Sequence, residues 1–273
     1  MNIDSILILR LLLYFIIYSF LGWVVESIFK SFLQREVVNS GFLHGPCCPI
    51  YGFGALIMHL FLSSFKSNII ILFFAGFFVL SIWEYIAGVI LEKKFHTKYW
   101  DYSDNFMNIQ GRVCLMNSFF WGFLGVIFTL FIHPFIESKV LLFSKEILIY
   151  LDVILSVLII IDCIVTTIKV KSLNMQFEKV KEMSETIKEK LKELKNIGSD
   201  KIEVKKNMEK LIDELKQKQE FAKYKIYKQA RRLKFAFPTM KSESITKILN
   251  QKIDFSKIKK SVKERVNKRN KEE

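Results

Sequence analysis

The feature that most constrains this chain is a series of apolar runs long enough to cross a lipid bilayer. A hydrocarbon core of about 30 Å needs about 20 helical residues. Four stretches reach that length: Ser5 to Phe29, Ile69 to Leu91, Val113 to Phe135 and Ile147 to Ile168. A fifth, Pro49 to Phe65, is shorter and follows the Gly- and Pro-rich run Gly41-Phe-Leu-His-Gly-Pro-Cys-Cys-Pro-Ile-Tyr-Gly-Phe-Gly54. Irregular backbone at membrane depth survives only where protein or water satisfies its amides, so this run is expected to pack inside the bundle or line a cavity. The expected fold class is therefore all-α, a polytopic transmembrane helix bundle of about five spans with a helical-hairpin or coiled-coil tail.

Charge divides the chain where the last run ends. Of 41 Lys and Arg and 27 Asp and Glu, residues 1–168 hold 10 and 11, which leaves 31 and 16 for the rest. An apolar, neutral part followed by a polar, basic part excludes a soluble enzyme, a secreted disulfide scaffold and a wholly disordered protein. The expected domains are a transmembrane bundle over 1–168, a helical hairpin over 169–237, and a short helix with a basic end over 238–273. Met1 to Arg10 has no small-residue cleavage motif after the apolar run, so the first span is expected to remain in the mature protein.

Loops after the first and third spans carry Lys30, Arg35, Lys93, Lys94, Lys98 and Arg112, against Lys66, Lys139 and Lys145 in the alternate loops. The positive-inside bias then puts the N-terminus outside and the basic C-terminal part in the cytoplasm. That placement keeps Cys47 and Cys48 reduced. The four cysteines show no C-x-x-C spacing and two are adjacent, so neither a metal site nor a cofactor is expected.

After Lys169 the apolar positions Val180, Met183, Ile187, Leu191 and Leu194 form a narrow seam on a charged helix. Asn196-Ile-Gly-Ser-Asp200 reads as a break, with Asp200 as N-cap and Glu203 completing a capping-box-like start. A second seam of Val204, Met208, Leu211 and Leu215 follows, and Pro238 stops the helix. Ser242 to Asn250 reads as one short helix, and Ser256 to Glu273 as a basic end with little to bury. Within Lys223 to Phe237, the cations Lys223, Lys225, Lys228, Arg231, Arg232 and Lys234 mix with aromatic side chains. They either solvate the helix or meet anionic lipid headgroups. No nucleic-acid reader motif occurs, so nucleic acid is not an expected partner.

Ionisable groups inside spans are costly and mark candidate sites. Glu26, Glu84 and Asp162 sit near one level, with His44, Trp100, Asp101, Tyr102, Asn108, Arg112 and Asn117 close to it on the cytoplasmic side. One reading is buried glue, with Glu26 or Glu84 paired to Arg112 or a lysine, and with Trp23, Trp83, Trp100 and Trp121 forming an interfacial belt. The other is a polar cavity at the cytoplasmic leaflet, which the concentration of these groups beside the Gly/Pro run favours. His59 and His133, nearer the outer face, read as satisfied helix residues rather than ligands.

The motifs Tyr18-Ser-Phe-Leu-Gly-Trp-Val-Val-Glu26, Gly41 to Gly52, Trp83-Glu-Tyr, Trp100-Asp-Tyr-Ser103, Asn108-Ile-Gln-Gly-Arg112, Trp121-Gly and Arg231-Arg-Leu-Lys-Phe-Ala-Phe-Pro238 stand in an order that resembles a bacterial membrane family labelled ABC-transporter permease, type IV. The resemblance implies a multi-pass protein of the cytoplasmic membrane that moves a solute or lipid. No G-x-x-x-x-G-K-[ST] phosphate loop is present, so ATP hydrolysis falls to a separate ATPase subunit. Five spans are few for a translocation path, which points to a homo-oligomer. The alternatives are a membrane enzyme acting on a lipid or lipid-linked substrate, or a scaffold displaying its tail. In the enzyme, Glu26, Glu84 or Asp101 would be general acid or base and Arg112 would hold a phosphate. On the charge bias, a topology reporter fused after Glu273 reads cytoplasmic and one at the N-terminus reads external. Both reporters on one side would end the odd-span reading.

Overall fold

The computed structural model of the chain describes residues 5–196, 202–242, 245, 246 and 249. The Asp200 cap, most of the Ser242–Asn250 helix and the Ser256–Glu273 end lie outside them. The elements are α1 (Ser5–Gln34), α2 (Pro49–Phe65), α3 (Ile69–Phe95), α4 (Leu115–Val140), α5 (Lys145–Asn196) and α6 (Ile202–Ala236). No strand occurs among the described residues, so the fold is all-helical.

Four helices, α1, α3, α4 and α5, are long and apolar enough to span a bilayer, and α2 is the short fifth segment. They bury little of that apolar surface against each other. In the most apolar window of α5 only 11% of residues are buried, and Val153, Ile154, Leu158, Ile161 and Ile164 are all more than half exposed. An apolar surface of this extent is stable only where the surrounding solvent is itself apolar, which is what lipid provides.

Small residues set the helix spacing. Apolar burial drives little association in lipid, so helices gain by approaching until backbones touch. Gly76 of α3 faces Gly122 and Gly125 of α4, where an added Cβ would lie 3.2 Å from the Trp121 carbonyl oxygen. Between α1 and α2 the fit is tighter, because a Cβ on Gly52 would stand 2.6 Å from the Phe15 carbonyl and closer still to Ser19 Oγ.

The Gly/Pro run before α2 satisfies its amides with side chains. Ser31 and Ser27 accept the backbone N–H groups of Val38 and Ser40, at 2.9 and 3.1 Å. Asn39 donates to the His44 carbonyl at 2.7 Å. Cys48 N–H donates to the Ser19 carbonyl at 2.9 Å. Two π-helical turns interrupt the helices, Met58–Leu62 in α2 and Phe128–Ile132 in α4. The second lies just before Pro134, whose ring has no N–H for the Leu130 carbonyl and widens the turn. In the first, Ser63 Oγ donates to the His59 carbonyl at 2.5 Å.

The chain divides into two compact units. One joins the described residues up to Ile168 with Leu233–Ser242, and the other centres on Lys169–Arg232. In the second, Gln219 donates to the Val180 carbonyl at 3.3 Å, pairing two helices that run antiparallel from the break after Asn196. Val180 and Ile187 of the first seam are buried. Of the second seam, Met208 and Leu215 are half-buried, Leu211 and Val204 are 44% and 51% exposed, and Ile212 rather than Leu211 is buried, at 2% exposed. The helix that carries the first seam is not separate, because α5 runs unbroken from Lys145 to Asn196.

Gly52→Ala is expected to destabilise the purified protein by about 1–3 kcal/mol, since the Phe15 backbone cannot yield. Gly54→Ala, where the nearest atom to an added Cβ is 3.7 Å away, is expected to be tolerated. Thermal unfolding of both variants in one detergent checks this, and equal losses would refute the close-approach account.

Candidate functional site

At the end of the bundle where α1 and α3 finish, four helices and two loops line a partly open chamber of about 270 Å³. Spacing explains much of its wall. On α3, Leu80, Glu84 and Leu91 share a face with Trp83 beside them. On α4, Asn117 and Trp121 are one turn apart and reach the same carboxylate. The loop Tyr99-Trp-Asp-Tyr102 contributes Tyr99, Trp100 and Tyr102, and the segment after α6 adds Phe237, Pro238 and Thr239.

Glu84 is 5% exposed. Trp121 Nε1 donates to its Oε2 at 2.9 Å, while Tyr102 Oη and Asn117 Nδ2 both donate to Oε1 at 3.3 Å. Burial, and then the Glu84 charge, push the Tyr102 hydroxyl well above the usual tyrosine range, so it remains a donor. Among the described residues no Lys, Arg or His pairs with Glu84.

The neighbouring carboxylates are each engaged. Glu26 pairs with Lys30 one helical turn on, at 2.5 Å, and accepts from the Cys48 thiol at 3.7 Å. Lys30 also donates to the Ala236 carbonyl and lies over the Phe237 ring at 5.2 Å. Glu92 takes Arg112, whose Nη2 is 2.7 Å from Oε2 and which also lies against the Tyr85 ring. Asp101 takes Lys98 at 2.5 Å, together with Lys241. Asp162 accepts the backbone N–H groups of His44 and Gly45, at 3.3 and 2.8 Å, and the Thr166 hydroxyl.

The residues singled out from the sequence therefore fall into three groups. Glu26, Glu84, Trp100 and Tyr102 line the chamber, and Asn117 supports Glu84 from behind. Asp101, Asn108 and Arg112 belong to a loop knot: Asn108 donates to the Ser103 and Asn105 carbonyls and accepts from Gly111 N–H, and Tyr102 N–H donates to the Gly111 carbonyl at 2.7 Å. Gly111 has φ 67°, and an added Cβ there would collide with Asp101, Lys98 and Ser103. His44 and Asp162 form the third group, bridged by Thr166, whose Oγ1 is 2.7 Å from His44 Nδ1.

Arg112 is thus paired with neither Glu26 nor Glu84. All four indoles donate within the protein: Trp23 to Asn39, Trp83 to the Ile50 carbonyl, Trp100 to the Arg112 carbonyl and Trp121 to Glu84. Tyr51, Tyr99, Phe237 and Lys241 were missed, although the pairing of aromatic residues with loop motifs on both sides of α3 was a usable signal. Of the candidate headgroup cations, Lys223 pairs with Glu220, Lys225 lies over the Phe221 ring and Lys234 donates to the Met240 carbonyl.

At the opposite end of the bundle the two π-helical turns meet. His133, 2% exposed, shares a 2.9 Å hydrogen bond with Tyr18, and the His59 and His133 rings lie 4.2 Å apart. No group of three or more metal-ligating side chains is found among the described residues.

Four long apolar helices with outward apolar surface define a multi-pass helical membrane protein. The chain belongs to the family described as "Putative ABC-transporter type IV", whose model matches residues 13–167. The match stops short of the Arg231–Pro238 motif. No curated protein and no solved structure matches the chain.

Burial opposes charge on Asp101, but hydrogen bonds from Lys241, Lys98 and Ser103 more than offset it and hold the carboxyl well below the usual carboxylate range. A depressed folded value means the contribution is complete above the unfolded value of about 3.9 and fades as pH falls towards the folded one. Asp101→Asn is therefore expected to lower the melting temperature in detergent fully at neutral pH, with the gap to wild type narrowing only below about pH 4. A gap unchanged at acid pH would refute this.

Proposed function

We propose that this protein is the membrane-spanning, solute-handling component of a transporter whose energy comes from a separate ATPase subunit. The observation that carries the reading is the chamber itself: four helices converge on a partly open cavity lined by Glu26 and Glu84. Family membership supports a transport role, and the absence of a phosphate loop assigns ATP hydrolysis to a partner. The loop after α1, the loop after α3 and the segment Leu233–Ser242 meet at one end of the bundle, as the Lys98–Lys241 backbone pair shows. This supports an odd number of crossings, with the N-terminus external and the chamber at the cytoplasmic leaflet of a bacterial membrane. The domain division we favour is a bundle completed by Leu233–Ser242 and a cytoplasmic helical hairpin between, whose basic face can meet anionic headgroups.

The enzyme alternative is less favoured, because Arg112, its expected phosphate holder, pairs with Glu92 and is not among the residues lining the chamber. Glu84→Gln is expected to leave membrane abundance near normal and to abolish complementation of a deletion phenotype, whereas Glu26→Gln, which leaves Lys30 unmatched, should lower abundance as well as complementation. Asp162→Asn should also reduce abundance, because it weakens an anchor of the His44–Gly45 backbone. Immunoblots paired with growth assays check this, and full complementation by both Gln variants would refute a functional chamber.

A further inference from the structure

We propose that the chamber takes a small organic cation, an ammonium group with its methyl or methylene substituents. The inference rests on the chamber being a solute site, as proposed above, and goes on to name its ligand class. The first argument is charge balance. Of the side chains lining the chamber, Glu26 and Lys30 neutralise each other, so the ionised form of Glu84 gives the wall a net charge of −1. The nearby cations are committed elsewhere, Arg112 to Glu92 and both Lys98 and Lys241 to Asp101. A buried carboxylate with three neutral donors and no counter-charge among the described residues is stabilised by a cation that enters beside it.

The wall then decides which cation. Trp83, Trp100, Trp121, Tyr51, Tyr99 and Phe237 surround the space, and aromatic faces attract weakly hydrated ammonium groups. Calcium and magnesium need about six or more oxygen ligands, and of the two carboxylates in this wall Glu26 is already taken by Lys30, so the mostly aromatic wall serves such ions poorly. Anions are disfavoured because the Lys30 ammonium already serves Glu26 and the Ala236 carbonyl. At about 270 Å³ the chamber lies near the lower end of small-molecule sites, roughly 300–1,000 Å³, so it admits an ion of headgroup size rather than a whole lipid.

The test uses the full-length protein purified in detergent. Tetramethylammonium, choline, the neutral choline isostere 3,3-dimethylbutan-1-ol and sodium chloride are titrated at constant ionic strength. Indole fluorescence reports binding, because three of the four tryptophans line the chamber, and calorimetry repeats the measurement. The expected result is saturable binding of the two ammonium ions, about tenfold or more tighter than the isostere, with no saturable response to sodium. Glu84→Gln should remove the preference while leaving the isostere unchanged, and the wild-type comparison stands even if that variant fails to fold. Equal affinity for choline and its isostere, or saturable sodium binding, would overturn the cation assignment and leave the solute chamber standing. No saturable binding by any of the organic probes would overturn both. Repeating the choline titration in phosphatidylglycerol nanodiscs, with and without phosphatidylethanolamine, assigns the source. Competition by phosphatidylethanolamine identifies a lipid headgroup ammonium and its absence a soluble solute, and either outcome supports the proposal.

Discussion

Lipid offers no hydrogen bonds, and this one deficiency organises the molecule. Each departure from regular helix must bring its own partners. The run between α1 and α2 does so with Ser27, Ser31 and Asn39, while Asp162 of α5 holds the His44 and Gly45 amides from another direction. Because those amides are satisfied, the run can remain irregular and place Phe42 and Cys48 against the chamber. The same demand explains the four inward-donating indoles: an N–H that would otherwise face hydrocarbon is turned onto a carbonyl or a carboxylate.

Charge follows a related logic at the chamber end. Surface ion pairs contribute little in water, but Lys98–Asp101 and Lys30–Glu26 are mostly buried, and an unmatched partner there is expensive. Pairing of Glu26, Glu92 and Asp101 with their own cations is therefore the background against which Glu84 stands out. Its three donors come from α4 and from the loop after α3, so its place depends on the Gly76–Gly122–Gly125 approach of α3 to α4 as much as on its own helix.

Much of this was legible in the sequence for physical reasons. Span existence follows from length and hydropathy, and the Gly/Pro run announced its irregularity by composition. Glu26 and Glu84 stood out because ionisable groups in apolar runs are rare. Depth, however, is not position. Span arithmetic expects Glu26, Glu84 and Asp162 at one level, yet Asp162 accepts from the His44–Gly45 backbone and does not line the chamber, since azimuth around a bundle is decided by packing partners that linear spacing does not name. Arg112 illustrates the same limit, because any of several acids at its level could have claimed it and Glu92 did. In α6 the same limit touches single positions: Met208 and Leu215 are half-buried as the spacing expects, while Ile212 and not Leu211 is buried between them.

The segment Leu233–Ser242 shows why a chain that looks like a bundle followed by a tail is not built in that order. The last carbonyls of α6 have no intrahelical partners. Gln34 donates to the Phe235 carbonyl at 3.0 Å and Lys30 to that of Ala236, so the end of α6 is capped by α1. Pro238 then prevents the helix from continuing, Phe237 meets the Tyr99 ring at 4.9 Å, and Lys241 pairs its backbone with Lys98 while its ammonium reaches Asp101. Lys30 thereby performs three tasks with one side chain: it neutralises Glu26, caps α6 and faces the ring that closes the chamber. A bundle ending at Ile168 would leave Lys30 with its carboxylate alone, Asp101 with one lysine instead of two, and the chamber without the wall supplied by Phe237, Pro238 and Thr239. The acidic chamber is thus a property of the whole chain, completed by residues that follow the polar helices in sequence.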